Sequence, residues 1–276
     1  MEYPGYKKME LRELQLLQLE VMKTIHKICV KHDIKYYMIG GTLLGAIRHK
    51  GFIPWDDDID IAMMRSDYDK FMQIFSCEFS SEKYFLQCYG TDKDFQPAMQ
   101  RVCIKDTILD IPSEYHLRNC KNTYIDIFPL DNVPDSSEER TKHISALKNI
   151  DRLFFYKLYH VYPWNSKAQI LLKKTLAFAL RLIPLSYLQR KRVEIMSQFK
   201  NIDTKCVAST VSKYGYAKQI MDRSIYGIPQ LYKFEDTEFY GVEDYNAYLT
   251  HLFSKRYMEL PPENKREVPR DVYIKL

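Results

Sequence analysis

The chain has 276 residues, of which 46% are hydrophobic and 28% are charged, a composition typical of a folded globular protein. Its 41 Lys or Arg exceed its 36 Asp or Glu by only five charges, which permits an anionic substrate or an anionic lipid surface but does not demand nucleic acid. We therefore expect one large domain, or a core with an appendage, and no nucleic-acid partner.

Cysteine usage and the first residues bear on the cellular location. The six cysteines are scattered without a Cys-x-x-Cys pair, which favours reduced thiols in a cytoplasm. Residues 1–15 lack the apolar segment of a signal peptide. We therefore expect a cytoplasmic protein.

The apolar pattern predicts mixed secondary structure up to about residue 135. Spacings of three and four indicate helices, and short apolar runs bounded by turn residues indicate strands. In chain order we expect a helix over 14–32, a strand over 36–39, a helix over 43–48, a strand over 56–64, a helix over 66–79, and strands over 84–88, 98–104, 107–111 and 123–128. The last of these strands is expected to end at Pro129.

Beyond residue 135 the pattern changes to long helical periods. Helices are predicted over 136–160, 168–182 and 186–199, followed by an irregular tail rich in Tyr and Pro. We therefore expect an α+β protein with a mixed β-sheet core flanked by helices. A catalytic core would occupy residues 1–135, and a mostly helical region over 136–276 would complete the substrate site.

Residues 170–188 form the most membrane-like segment of the sequence. Charged residues and Pro184 interrupt it and argue against a membrane-spanning helix. Two interpretations remain: a helix packed on the core with a cationic outer face, or a basic amphipathic helix that makes a peripheral contact with a membrane surface.

The stretch IPWDDDIDIAMM, residues 53–64, places four carboxylates directly before an apolar run. Two carboxylates about 4 Å apart repel by on the order of 4 kcal/mol at an effective dielectric of 20, so a positive partner is expected nearby. In an extended strand, Asp56, Asp58 and Asp60 share one face. Carboxylate oxygens are ligands that Mg²⁺ and Mn²⁺ prefer, often alongside substrate phosphates. The alternative is a solvated acidic loop that leads into a half-buried strand.

The residues before the acids suit an anion. Gly40 and Gly41 let a phosphate approach the backbone, and a helix N-terminus capped by Thr42 offers free amides and a positive dipole end. Arg48 could bind two oxygens of a diphosphate, or belong to a solvated basic turn. Trp55 could stack on a base or a quaternary ammonium, or pack in the core.

The order Ile-Gly-Gly at 39–41 followed by Asp-Ile-Asp-Ile at 58–61 resembles the nucleotidyltransferase superfamily pattern. At finer grain, GGTLLGAIRHKGFIPWDDDIDIAMMRSDYDKF resembles the LicD family, which includes phosphocholine transferases and fukutin-related phosphotransferases. The resemblance continues through YIDIFPLDNVP at 124–134 and through FEDTEFYGVEDYNAYL and YMELPPENKR in the tail. It implies a nucleotidyltransferase-like fold over nearly the whole chain.

The resemblance also implies site residues. Asp56, Asp58 and Asp60 would serve a metal site with one or two Mg²⁺ or Mn²⁺, joined by Asp126, and Asp58, Asp60 and Asp126 would be catalytic. An ion pair with a basic neighbour is the alternative for Asp126. Arg101 lies where the family often has a basic residue near the site.

The implied function is metal-dependent transfer of a substituted phosphate, such as phosphocholine, from a CDP-linked alcohol such as CDP-choline. The acceptor would be a hydroxyl of a cell-surface glycan, lipopolysaccharide or teichoic acid, or of its lipid-linked precursor at the inner face of the membrane, and CMP would leave. Two hypotheses stay open beside it: a nucleotidyltransferase that releases pyrophosphate, and a non-catalytic partner in glycan assembly. The tail departs from the family pattern, since a common His is replaced near Arg270, which leaves the transferred group and the acceptor open.

Overall fold

The computed structural model describes residues 3–78, 83–111, 121–158, 166–211 and 214–276. The strands are β1 (Tyr6–Lys8), β2 (Tyr37–Met38), β3 (Asp60–Met64), β4 (Tyr84–Gln87), β5 (Gln100–Ile104), β6 (Thr107–Asp110), β7 (Tyr124–Val133), β8 (Cys206–Ala208), β9 (Met221–Asp222), β10 (Gln230–Phe234), β11 (Thr237–Gly241) and β12 (Asp271–Lys275). The helices are α1 (Leu11–Lys31), α2 (Gly40–Arg48), α3 (Arg65–Glu78), α4 (Ser137–Lys157), α5 (Lys167–Ala179), α6 (Leu185–Met196), α7 (Tyr216–Gln219), α8 (Arg223–Tyr226) and α9 (Tyr245–Phe253), with 3₁₀ turns at Leu180–Leu182 and Glu263–Lys265.

The predicted α+β architecture with a mixed sheet is confirmed. The main sheet has the strand order β10-β11-β2-β3-β7-β5-β4, with β8 beside β7 and β9 beside β8, and β1, β12 and β6 form a smaller antiparallel sheet. The boundary expected near residue 135 falls between β7 and α4. Strands β10 and β11, from beyond that boundary, extend the same main sheet through β2.

Buried apolar side chains at helical spacing fix α1 to the body of the protein. Glu10 and Glu13 form a capping box at its start, which satisfies amides that the first turn leaves without helical partners. Leu14, Val21 and Ile25 are all buried, as the period of the sequence predicts. The central strands of the main sheet are equally apolar inside, since β3, β5 and β7 carry fully buried Ile and Val side chains.

Strand β7 continues through Pro129 to Val133, so the prediction that it ends at the proline is wrong. It pairs with β5 as far as Ile127 and with β8 from Asp131 onwards. Pro129 lies between these two ladders, where its missing N–H interrupts neither of them.

The predicted helices of the second half are confirmed in α4, α5 and α6. Ser136 caps α4 by accepting the Glu139 N–H, and Ser166 caps α5 by accepting the Gln169 N–H. The predicted ends at residues 79 and 160 lie outside the described residues. No helix in the described part of the chain is long and apolar enough to span a bilayer.

Candidate active site

Strand register brings Asp60, Asp126 and Arg101 into one row across the sheet. Asp60 lies opposite Asp126 in the parallel pair of β3 and β7, and Arg101 lies opposite Asp126 in the antiparallel pair of β5 and β7. Directly opposed residues point to the same face of a sheet. Two acids that are 66 positions apart in the sequence are therefore neighbours in space.

The acids before β3 lie in a loop, so the predicted strand over 56–64 begins only at Asp60. The predicted alternation nevertheless holds. Asp56, Asp58 and Asp60 line one cavity together, whereas Asp57 turns away and binds Arg270. The carboxylate oxygens of Asp56, Asp57 and Asp58 can come within 4.8 Å of one another.

Buried glutamines of α1 hold the backbone of this acidic loop. Gln15 Nε2 donates to the Asp56 carbonyl at 2.9 Å, and Gln18 Nε2 donates to the Asp57 carbonyl at 3.0 Å. Both side chains are at most 3% exposed. Because a buried amide donor needs an acceptor, these bonds fix where the loop lies relative to α1.

Arg270, in the C-terminal tail, supplies the positive partner that the crowded acids require. Its Nη2 lies 2.6 Å from Asp57 Oδ1 and 3.0 Å from Asp58 Oδ2, and its backbone N–H also binds Asp57. Burial alone would lower the pKa of Arg270, but its bonds with Asp57 outweigh that effect and the net shift is upward. The tail therefore neutralises part of the charge of the acidic loop.

The diglycine turn faces the acids. Helix α2 begins at Gly40, whose φ of +53° suits glycine and whose N–H donates to Tyr248 Oη at 3.2 Å. A Cβ at Gly41 would lie only 2.7 Å from Asp56 Oδ2. Glycine at this position therefore provides the space into which the Asp56 carboxylate fits.

Thr42 does not cap α2, contrary to the prediction. It lies inside the helix, and its Oγ1 accepts the Asp60 N–H at 2.8 Å. The reason is that the helix begins at Gly40, three residues earlier than the sequence pattern indicates. Thr42 therefore positions the start of β3, and with it the Asp60 side chain.

Two cavities meet at the acids. The inner cavity, of about 210 Å³, is lined by Gly40 and Asp126, and the outer cavity, of about 120 Å³, by Gly41 and Trp55. Asp58, Asp60 and Tyr214 line both cavities. The inner wall is completed by Ile39, Gly40, Met99, Phe128, Val211, Gln219, Tyr248 and Leu252, and the outer wall by Gly41, Leu44, Ile53, Asp56, Phe253 and Glu267.

Arg101 and Asp126 form an ion pair, with Arg101 Nε 2.8 Å from Asp126 Oδ1 and side chains only 12% and 14% exposed. The guanidinium stacks on the Tyr124 ring at 3.8 Å. Burial raises the pKa of Asp126 despite the opposing effect of Arg101. The pair expected as the alternative for Asp126 is thus present, and it lies at the inner cavity beside Asp60.

The structure does not place Arg48 where a diphosphate contact was expected. Its guanidinium donates to the carbonyls of Tyr257 at 2.8 Å and Glu259 at 3.1 Å. Arg48 ends α2, so it lies about 12 Å along the helix axis from Gly40, given a rise of about 1.5 Å per residue. It anchors the tail to α2 instead.

Trp55 lines the outer cavity, as the prediction of a ligand-facing ring requires. The Arg266 guanidinium lies 4.4 Å from the centre of the ring, so one of its faces is already covered. Trp55 also packs against the main hydrophobic core, so the ring meets part of both interpretations.

Several residues of the site come from beyond residue 200. Tyr214, Tyr248 and Glu267 line the cavities and Arg270 binds the acidic loop, and none of the four was predicted as a site residue. They support the expectation that the C-terminal region completes the site. Only their distant contacts with the acidic loop and the diglycine turn identify them.

The residues present fit a hard divalent cation. Asp56, Asp58, Asp60 and Asp126 supply carboxylate oxygens around the two cavities, which is the donor chemistry that Mg²⁺ and Mn²⁺ prefer. The missing Cβ of Gly41 leaves room for the Asp56 carboxylate at the same place. A metal role for these acids is consistent with their arrangement.

Comparison with known proteins finds the family that the sequence motifs resemble. The family described as LicD/FKTN/FKRP, nucleotidyltransferase domain, matches residues 33–189, more than half of the chain. The lipopolysaccharide cholinephosphotransferase LicD of Haemophilus influenzae is 29% identical over 263 residues, which cover 95% of this chain and 96% of that protein.

Two further relatives match short segments. An uncharacterized protein of Rickettsia typhi is 49% identical over 69 residues, 25% of this chain and 22% of its own. The ribitol 5-phosphate transferase FKRP of Homo sapiens is 35% identical over 65 residues, 22% of this chain and 13% of its own. The family match over residues 33–189, together with the acids that converge on the diglycine turn, shows that this chain belongs to the LicD family.

Proposed function

We propose that this chain is a metal-dependent phosphotransferase. It moves a substituted phosphate, with phosphocholine as the first candidate, from a CDP-linked alcohol to a hydroxyl of a cell-surface glycan or of its lipid-linked precursor, and releases CMP. We expect it to act in the cytoplasm, where CDP-choline and Mg²⁺ are available.

The row formed by Asp60, Asp126 and Arg101 beside the diglycine turn carries this proposal. It joins acids that can bind a cation to a backbone segment that can approach a phosphate. The near full-length similarity to a lipopolysaccharide cholinephosphotransferase supports phosphocholine as the transferred group and a glycan as the acceptor. The similarity to a ribitol 5-phosphate transferase supports phosphoalcohol transfer more broadly.

Asp56, Asp58, Asp60 and Asp126 would hold one or two Mg²⁺ or Mn²⁺ ions. When bound, such ions neutralise phosphate charge and favour ionisation of an acceptor hydroxyl. The side chains themselves act by position, since Gln15 and Thr42 fix the backbone of the acids. Catalysis would thus rest mainly on orientation and charge stabilisation.

The two cavities suggest how the substrates divide the site. At about 210 Å³ and 120 Å³, each is smaller than the 300 Å³ or more of a typical ligand pocket, so a CDP-alcohol must extend beyond either one. Asp58 and Asp60 line both cavities, and this shared lining supports our assignment of the reacting phosphate to their junction. Tyr214, Tyr248 and Phe128 give the inner cavity aromatic walls suited to the methyl groups of choline.

Product analysis with purified protein tests the proposal. With CDP-choline, Mg²⁺ and a lipopolysaccharide acceptor, we expect CMP and a phosphocholine-bearing glycan. In Asp58→Asn and Asp60→Asn we expect at least a 100-fold loss of turnover, on the scale of a lost catalytic interaction. Asp236→Asn is the matched control, because its side chain is 67% exposed, pairs with Lys23 and lines neither cavity.

Three results would contradict the proposal. Near wild-type turnover in Asp58→Asn or Asp60→Asn would remove the acids from the mechanism. Release of pyrophosphate from CTP with a phosphorylated alcohol would favour a nucleotidyltransferase. No turnover and no metal-dependent thermal shift with CDP-choline, CDP-ribitol or CDP-glycerol would favour a non-catalytic partner, since a ligand at 100 times its dissociation constant stabilises by about 2.7 kcal/mol.

A further inference from the structure

Helix α5 and the 3₁₀ turn after it present large apolar side chains to solvent. Leu171, Phe178 and Leu182 are 66%, 72% and 93% exposed, and their spacings of seven and four place them on one helix face. We call these three residues the apolar stripe. Leu172, next to the stripe, is also 56% exposed. Contiguous exposed apolar surface of this kind marks an interaction site.

The opposite face of α5 packs against α4. Lys173 is only 8% exposed, and its ammonium lies 4.6 Å from the centre of the Phe155 ring. Lys157 Nζ donates to the Leu180 carbonyl at 2.9 Å, which ties the end of this segment to α4. The first interpretation of residues 170–188, a helix packed on the core with a cationic outer face, accounts for exposed Lys174 and Arg181 but not for the apolar stripe beside them.

The charged residues in and around α5 are positive. Residues 152–193 contain nine Lys or Arg and no Asp or Glu, whereas the remainder of the chain contains 32 Lys or Arg and 36 Asp or Glu. Lys167, Lys174 and Arg181 are exposed along one flank of the apolar stripe. Arg192 and Lys191, at the end of this segment, pair with Asp151 and Glu194 just outside it, so the positive charge beside the apolar stripe comes from Lys167, Lys174 and Arg181.

We propose that the apolar stripe and its basic flank bind the surface of a bilayer that contains anionic phospholipids. The apolar side chains enter the boundary between headgroups and acyl chains, and the cations interact with the phosphates. A protein partner would have to match a projecting apolar ridge and the exposed cations Lys167, Lys174 and Arg181 beside it, whereas an anionic bilayer satisfies both at once. The binding is independent of the transferase reaction, because none of these residues lines either cavity.

Sedimentation with phospholipid vesicles tests this proposal on the full-length protein. We expect binding to vesicles of phosphatidylcholine with about 30 mol% phosphatidylglycerol, and much weaker binding to phosphatidylcholine alone. Phe178→Gln with Leu182→Gln should lower the partition coefficient at least ten-fold. Lys174→Gln with Arg181→Gln should lower it roughly 25-fold on anionic vesicles, about five-fold for each charge. Roughly 0.5 M salt should weaken wild-type binding.

The control pair is Ile228→Gln with Leu231→Gln, two apolar residues that are 70% and 50% exposed on another part of the surface. These changes should leave vesicle binding unchanged. Equal binding to neutral and anionic vesicles, or no loss in the stripe variant, would overturn the proposal. So would analytical ultracentrifugation showing a wild-type dimer that the stripe variant converts to a monomer, because the stripe would then be an interface between copies of this chain.

Discussion

Arg270→Gln should destabilise the fold, because Arg270 holds the acidic loop from a tail that is more than 200 residues away in sequence. The Asp57 side chain is 10% exposed and that of Arg270 is 30% exposed. Loss of one partner from a fully buried pair costs about 3–5 kcal/mol, whereas exposed pairs contribute at most about 1 kcal/mol. For this partly exposed pair we expect a loss of about 2–3 kcal/mol, since Asp57 would stay buried without its cation.

A double-mutant cycle separates the pair from other effects of the substitution. Asp57→Asn should cost less, about 1 kcal/mol, because the partly exposed guanidinium can turn to solvent. The double variant should be about 1–2 kcal/mol more stable than the sum of the two single losses predicts. Urea denaturation followed by circular dichroism measures all three free energies of unfolding.

The same tail contains a matched control. Arg256 pairs with Glu259 at 3.7 Å, but the side chains are 80% and 65% exposed, so Arg256→Gln should change stability by less than about 0.5 kcal/mol. Two results would refute the reasoning: an Arg270→Gln variant as stable as Arg256→Gln, or strictly additive losses in the double variant. Either would mean that Asp57 does not depend on Arg270 for its charge compensation.

Three further predictions follow from other contacts. Gly41→Ala brings a Cβ within 2.7 Å of Asp56 Oδ2, and the Asp56 carboxylate must move to make room for it, so the fold should survive. Calorimetry should show about a ten-fold lower affinity for Mn²⁺, and an unchanged affinity would exclude Asp56 as a ligand. Arg65→Met leaves the buried Asp131, which is 1% exposed, without its partner, so the free energy of unfolding in urea should fall by about 3–5 kcal/mol. The double variant with Asp131→Leu should recover most of that loss, and a loss below about 1 kcal/mol in Arg65→Met would contradict the prediction. Burial lowers the pKa of His26, so the unfolded chain takes up the proton first and stability should fall as the pH drops below about 6.5; His26→Gln should reduce that fall, and an unchanged pH dependence would refute the assignment.

The alternation of the acidic stretch could be predicted because it depends on local backbone geometry. Asp56, Asp58 and Asp60 line the outer cavity and Asp57 does not, as expected for residues two apart in an extended chain, while Asp57 and Asp58 share the Arg270 guanidinium. The end of β7 could not be predicted in the same way, because a strand ends where its pairing with neighbouring strands ends. β7 passes through Pro129 for this reason, since Met63 of β3 lies opposite Pro129 and β8 pairs with β7 beyond the proline.

Contacts between segments that are distant in sequence could not be predicted from the apolar pattern or the motifs. The Arg270–Asp57 pair and the Tyr248–Gly40 hydrogen bond each join positions more than 200 residues apart. The periodicity of the sequence around these residues does not predict such contacts. Arg48 shows the opposite error, since a basic residue close to the diglycine turn in sequence lies a whole helix away from it in space. Proximity along the chain indicates a shared site only where the element between is short.

Isothermal titration of Mn²⁺ into the wild type and into Asp60→Asn, with the exposed Asp236→Asn as the control, tests the central claim most directly. We predict saturable binding by the wild type and by Asp236→Asn, and at least a ten-fold weaker affinity in Asp60→Asn. Equal affinity in all three proteins, or no binding by the wild type, would contradict a metal site formed by the acids that converge on the diglycine turn.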